Sequence, residues 1–128
     1  MDAFTIETEY GSGRIYSHEP ILNGTDMVTY EEFISILFTY PLSNSVMFTS
    51  YKRGGFTRED FFDAIRSGYK NIYHDEDEAT TCEEKNPFLF NRGSTDGPYG
   101  IWGHDLEDLY IEGITKSDKG YYELTVGS

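Results

Sequence analysis

Phe56-Thr57-Arg58-Glu59-Asp60-Phe61-Phe62-Asp63-Ala64-Ile65-Arg66-Ser67-Gly68-Tyr69-Lys70-Asn71-Ile72-Tyr73 is the stretch that decides the fold. Thr57 offers a side-chain oxygen to a free backbone N–H of a first helical turn. Asp60, three residues on, can reach back to complete a capping box, and Phe56 with Phe61 holds the two positions of a hydrophobic staple. Behind this start Phe61, Ile65, Tyr69 and Tyr73 recur every four residues, with Phe62 and Ile72 beside them. That spacing is the apolar stripe of an amphipathic helix, which needs a sheet or another helix to cover it.

Upstream, Val28-Thr29-Tyr30-Glu31-Glu32-Phe33 carries the same start signal: Thr29 as cap, Glu32 three residues on, Val28 and Phe33 as staple. The sequence therefore predicts a first helix with Phe33, Ile34, Leu37 and Phe38 inward, ending before Pro41, which disfavours helix in the residue before it. The two starts lie 57 − 29 = 28 positions apart. Two independent capping boxes account for the likeness, with a short duplication as the lesser alternative.

Strands flank these elements. Phe4, Ile6 and Thr8 alternate with Thr5, Glu7 and Glu9, the period of a half-buried strand. Gly11-Ser12-Gly13 signals a turn, with a short return strand from Arg14 to His18. Val46 to Tyr51 reads as a strand with Val46, Phe48 and Ser50 on one face, and Phe88-Leu89-Phe90 as a short one. Leu109 and Ile111, with Gly113, face inward from a strand beginning near Asp108. Ser117-Asp118-Lys119-Gly120 turns it into a last strand in which Tyr122, Leu124 and Val126 alternate with Tyr121, Glu123 and Thr125. His74 to Lys85 is strongly acidic and reads as a solvated loop. The order β-β-α-β-α-β-β-β does not alternate as a doubly wound sheet requires. The expectation is a single α+β domain over residues 1–128: a mixed or antiparallel sheet of about five to six strands, with two helices packed on one face.

Composition narrows the function classes. The chain has 128 residues, 10 basic against 23 acidic, and a formal net charge of -13. Binding nucleic acid through phosphates needs clustered Lys and Arg, so direct binding is disfavoured, as is an anionic membrane surface. No run approaches the length of a membrane span, and the first residues lack the basic and apolar regions of a secretory signal. An intracellular setting fits. The acidity serves solubility, or presents a face to a basic partner, or imitates nucleic acid and so blocks a nucleic-acid-binding protein. Aromatic residues make up 16% of the chain, with 11 Tyr and 9 Phe, so rings supply the core and leave amphipathic side chains for contact.

Chemistry-bearing residues are sparse. Cys82 is the single cysteine, which excludes an intrachain disulfide and a four-cysteine zinc site. Its acidic neighbours disfavour a thiolate. Asp75 and the acids after it fail the calcium-loop pattern, which needs Gly at its sixth position and Glu at its twelfth, because Thr80 and Asn86 stand there. No phosphate-binding or nucleophile motif is present, and no cofactor is expected. Lys52, Arg53, Arg58, Arg66 and Lys70 cluster on and before the second helix. They form either a contact face or ion pairs with Glu59 and Asp63.

The remaining singular stretch is Gly97 to Gly113, which holds the single Trp. Trp102 stands between Gly100 and Gly103, so it is either a rigidly presented contact residue or a core residue fixed by its glycines. A contact surface is expected at Tyr99, Ile101, Trp102, His104 and Asp105, since Trp and Tyr bury large area at low entropic cost. His104 and Asp105, with Glu107, Asp108 and Glu112, also form the densest group of metal-ligand types. A metal-dependent hydrolase is therefore the enzymatic alternative.

Tyr99-Gly100-Ile101-Trp102-Gly103-His104-Asp105-Leu106-Glu107-Asp108-Leu109 resembles a run in small uncharacterised proteins of large (giant) double-stranded DNA viruses. Thr57 to Ile65 followed by Gly68-Tyr69, and Asn91-Arg92, share that resemblance, which covers the C-terminal two-thirds. It implies a viral protein in host cytoplasm or virion and transfers no catalytic residue. The reading is a non-enzymatic acidic interaction module whose partner is another protein or a second copy.

Overall fold

The computed structural model describes residues 3–16, 20–79, 99–101 and 106–128. Within these the long helix forms as its sequence dictates. Helix α1 runs from Arg58 to Ala79. The capping box closes in both directions: the Asp60 N–H donates to Thr57 Oγ1 and the Thr57 N–H to Asp60 Oδ2, each at 3.1 Å. The Arg58 and Glu59 N–H groups donate to the Asp26 and Gly24 carbonyls at 2.9 and 3.0 Å. First-turn donors that a helix leaves open are thus taken up by side chain and loop. The staple rings of Phe56 and Phe61 meet edge to face at 6.4 Å.

Nine strands accompany the helix among the described residues: β1 (Ala3–Phe4), β2 (Glu7–Thr8), β3 (Gly11–Arg14), β4 (Met27–Thr29), β5 (Phe33–Phe38), β6 (Val46–Tyr51), β7 (Phe56–Thr57), β8 (Tyr110–Lys116) and β9 (Tyr122–Gly127). Seven make one sheet in the order β2-β3-β8-β9-β5-β6, with β1 also on β8, and β4 pairs with β7 in a small ribbon. The pairing of β5 with β9 is parallel and the rest antiparallel, so the sheet is mixed. No helix among the described residues is long and apolar enough to cross a membrane.

The fold is α+β, but the described residues hold one α-helix, not two. The segment expected as the first helix is strand β5. Its capping residues do other work: Thr29 Oγ1 accepts from the Glu31 N–H at 3.1 Å, and Glu32 Oε2 accepts from the Gly54 N–H at 2.6 Å. Phe33-Ile34-Ser35-Ile36-Leu37-Phe38 consists largely of β-branched and aromatic residues, and alternates: Ile34, Ile36 and Phe38 are buried, the others more open. β5 lies between β6 and β9, so ladders form on both its edges. A capping signal worth about 1 kcal/mol does not outweigh that. The repeat of the start signal is therefore a likeness of short pieces with opposite structures.

Smaller shifts follow the same logic. The first hairpin turns at Glu9 and Tyr10, and Gly11 to Gly13 belong to β3. The acidic stretch from His74 is not loop at its start, because α1 continues through it to Ala79. Phe88 to Phe90 lie outside the described residues. The C-terminal hairpin is as expected, its turn closed by the Gly120 N–H on the Ser117 carbonyl at 3.0 Å with Gly120 at φ +95°. A bulge between Ile111 and Gly113 turns Ile114, rather than Gly113, inward.

The core lies between α1 and one face of the sheet. Phe61 is its hub, edge-on to Phe4 at 5.1 Å and to Tyr122 at 4.8 Å. Phe38 meets Tyr69 edge-on at 5.0 Å and Phe48 at 5.6 Å. Phe38 also lies flush against Gly68, where an added Cβ would fall 2.3 Å from the ring tip. Gly68→Ala would ordinarily gain up to about 1 kcal/mol of helix propensity. Here it must displace a fully buried ring, and overpacking costs about 1–3 kcal/mol. Urea denaturation should therefore show Gly68→Ala to be less stable than the native chain.

Candidate functional site

The stripe of α1 does not stop at Tyr73. Tyr69, Ile72 and Glu76 continue it at helical spacing, and Glu76 is as fully buried as the apolar residues before it. Burying a carboxylate is costly unless hydrogen bonds replace its water. Three backbone donors do so: the Tyr99 N–H reaches Glu76 Oε1 at 2.9 Å, and the Gly100 and Ile101 N–H groups reach Oε2 at 3.2 and 3.5 Å. Gly100 has φ +62°, the left-handed region glycine favours. A left-handed residue lets neighbouring N–H groups converge on one anion.

The same three residues are held from the other side. The Ser43 N–H donates to the Gly100 carbonyl at 2.9 Å and the Asn44 N–H to the Tyr99 carbonyl at 3.0 Å. Ile101 and Leu42 form an antiparallel bridge, and both are buried. The 39–45 connection is itself tied to the helix, since the Tyr69 hydroxyl donates to the Tyr40 carbonyl at 2.7 Å. The segment that precedes Trp102 is thus a latch: a helix carboxylate on its N–H groups, a loop backbone on its carbonyls.

Of the expected contact residues, Tyr99 is half-buried and its phenol donates to Asp75 Oδ2 at 3.4 Å. Partial burial, then the Asp75 carboxylate that accepts this bond, then Glu76, raise its pKa. Ile101 is a core residue, fully buried, and so offers no contact surface. Its apolar side chain follows the Leu42 bridge inward. Trp102, His104 and Asp105 lie outside the described residues. Among the described residues no three His, Cys, Asp or Glu side chains gather as metal ligands. The basic cluster is partly paired: Lys52 with Asp60 and Arg66 with Asp63, each at 3.7 Å. A groove of about 250 Å³ beside β1 and β4 is lined by Arg58 and Lys116, with Lys116 drawn to Glu31 at 2.7 Å.

A second surface carries aromatic residues, among them Phe33, which a helix over these residues would turn inward. On the face of β5 and β6 turned away from α1, Phe33 pairs with Tyr51, Ser35 with Thr49 and Leu37 with Met47. The Phe33 and Tyr51 rings pack at 4.9 Å, yet they stay 64% and 57% exposed, and Met47 stays 43% exposed. Between the apolar pairs the Ser35 and Thr49 hydroxyls share a hydrogen bond at 2.8 Å. The period-two alternation of residues 33 to 38 is the sequence signal for this patch, and the stripe spacing is the signal for Glu76.

Comparison with protein families, with curated proteins and with solved structures finds no match to this chain.

Two outcomes test the latch. Glu76→Gln removes the charge from bonds that are stronger to an ion, and turns an NH₂ toward N–H donors. It should cost roughly 2–4 kcal/mol and speed hydrogen exchange at Tyr99, Gly100 and Ile101. Burial above all, then Tyr73 and Tyr40, holds the Tyr69 phenol far above its ordinary value. The folded state therefore keeps this proton more tightly than the unfolded one. Its stabilising effect is full below about pH 10 and declines as pH rises beyond. Tyr69→Phe should lower stability at neutral pH and flatten the alkaline loss in a pH series of denaturation midpoints.

Proposed function

We propose that this chain is an acidic contact module that works by binding another protein or a second copy of itself, not by catalysis. The observation that carries the reading is the Phe33–Tyr51 pair with Met47. Phe33 and Tyr51 are rings ordered against one another that a folded domain leaves in water, and Met47 is exposed on the same face beyond the Ser35–Thr49 pair. Contiguous exposed apolar surface marks interaction sites, and Tyr, Phe and Met are enriched at interfaces. Tyr99 and the residues after it, Trp102, His104 and Asp105, form the second contact segment on this reading, with Glu76 holding its base.

The test is capture of interacting chains from cell extract on the immobilised protein, compared with a Phe33→Ser/Tyr51→Ser variant. Cross-strand pairs contribute about 0.2–1 kcal/mol, so the variant should stay folded by circular dichroism. Capture should fall at least about tenfold, the loss expected when roughly 1.4 kcal/mol of contact is removed. It should also persist at about 1 M salt, where exposed charges are screened within about 3 Å. Equal capture by the variant would defeat the aromatic-face reading. Capture that vanishes in salt would support carboxylates that imitate nucleic acid instead.

A further inference from the structure

We infer that the edge of β6 that no described strand pairs joins β6 of a second copy, antiparallel and about a two-fold axis at Thr49, so that two sheets become one. This rests on the contact-module reading and names its partner.

The two ends of the sheet are built differently. At one end β1 and β2 are two residues long each, with Glu7 in β2 and Glu9 just after it, a short edge that carries charge. Such devices stop edges from pairing. At the other end β6 is six residues long, Val46-Met47-Phe48-Thr49-Ser50-Tyr51, without a charge, a proline or a bulge in its pairing with β5. Among the described residues β6 ladders with β5 alone. Charged residues make up 26% of the chain, so an uncharged six-residue edge is a local departure from composition. It leaves a row of N–H and C=O groups ready for another strand.

The side chains say which strand fits. Residues opposite each other in a ladder share a face, and β6 turns Met47, Thr49 and Tyr51 away from the helix. An antiparallel copy must keep that parity. With the axis at Thr49, Met47 lies opposite Tyr51 of the second copy, and Thr49 opposite Thr49. On the outer face each Phe33–Tyr51 pair then runs on into Met47 and Leu37 of the other copy. The Ser35–Thr49 hydroxyl pair runs on into its own image. Apolar meets apolar, a thioether meets a ring, and hydroxyl meets hydroxyl. Lys52 and Arg53 fall beyond the paired segment, opposite Val46 and Ser45, so no like charges meet along the ladder. The surplus of 13 negative charges on each copy opposes approach, and salt screens that over about 8–10 Å.

The contact is small. Exposed parts of Phe33, Tyr51 and Met47 plus one strand edge come to several hundred Å² per copy, at the low end of specific interfaces. The association is therefore weak and reversible, with a Kd on the order of 100 µM.

Sedimentation equilibrium of the whole chain tests this. The weight-average mass should rise from 14.7 kDa toward twice that value between about 10 µM and about 1 mM. The rise should be steeper in added salt. Thr49→Lys, at an exposed position, places two ammonium groups on the axis and should hold the protein at one copy throughout, with an unchanged circular dichroism spectrum. As a second readout, Thr49→Cys in a Cys82→Ser background should oxidise to a disulfide-linked dimer faster than Thr125→Cys, which lies on β9 away from the edge. A mass that stays at one copy up to about 1 mM would overturn the inference, as would a dimer that Thr49→Lys leaves intact. Either result leaves the aromatic-face reading to its own capture test, where loss of capture in Phe33→Ser/Tyr51→Ser would still uphold it.

Discussion

The contact between the Phe38 ring and helix α1 at Gly68 and Tyr69 is the constraint on which the other features hang. It joins the end of β5, the strand next to the β6 edge, to the middle of the helix through a fully buried ring and a position with no side chain. Once Phe38 faces the helix, the pleat sends Ile34 and Ile36 the same way and turns Phe33, Ser35 and Leu37 outward. The exposed aromatic face is thus a consequence of how the core is registered. The same helix turn supplies the Tyr69 hydroxyl that holds the Tyr40 carbonyl, and with it the connection on which residues 99 to 101 rest. One packing contact therefore sets the sheet face and the latch loop together.

Helix α1 was legible because every local signal in it agreed. Cap, staple and stripe all pointed one way, and the structure supplied a sheet face for the stripe. In residues 28 to 38 the signals conflicted. The Thr29 and Glu32 pattern favoured a helix start, while the alternation of Ile34, Ile36 and Phe38 favoured a strand. Capping acts over one turn and contributes about 1 kcal/mol. A central strand gains two ladders and a buried face, both of which depend on segments far away in sequence. Local reading sees the first term and not the second. The shared start signal makes two unlike segments look equivalent.

The candidate site was legible as a place rather than as a mechanism. The sequence singled out the run from Tyr99 and its glycines, and Gly100 does take a left-handed backbone. What anchors that run was hidden, because Glu76 stands among Asp75, Asp77 and Glu78 and composition reads all four as solvated. Only its position three and four residues beyond Tyr73 and Ile72 marks it as inward-facing. Helical phase outranked charge, since the three N–H groups that replace its water belong to a segment 23 to 25 positions away. Ile101 went the other way: expected at the surface for its neighbours, it is buried through its bridge to Leu42.

Charge and edge design also bear on how far association through β6 can grow. A sheet with two open edges adds copies without limit, because each addition exposes a new edge. Among the described residues this sheet has one long uncharged edge, and at its other end β1 and β2 are two residues each, with Glu7 in β2 and Glu9 after it. A two-fold pairing uses the same patch on both copies and leaves only the guarded ends outward, so it closes at two. Net negative charge acts in the same direction. Repulsion grows with each added copy, while the ladder contributes only once per pair of edges. An aromatic, β-rich strand is thereby kept available for one specific contact without becoming a template for fibres.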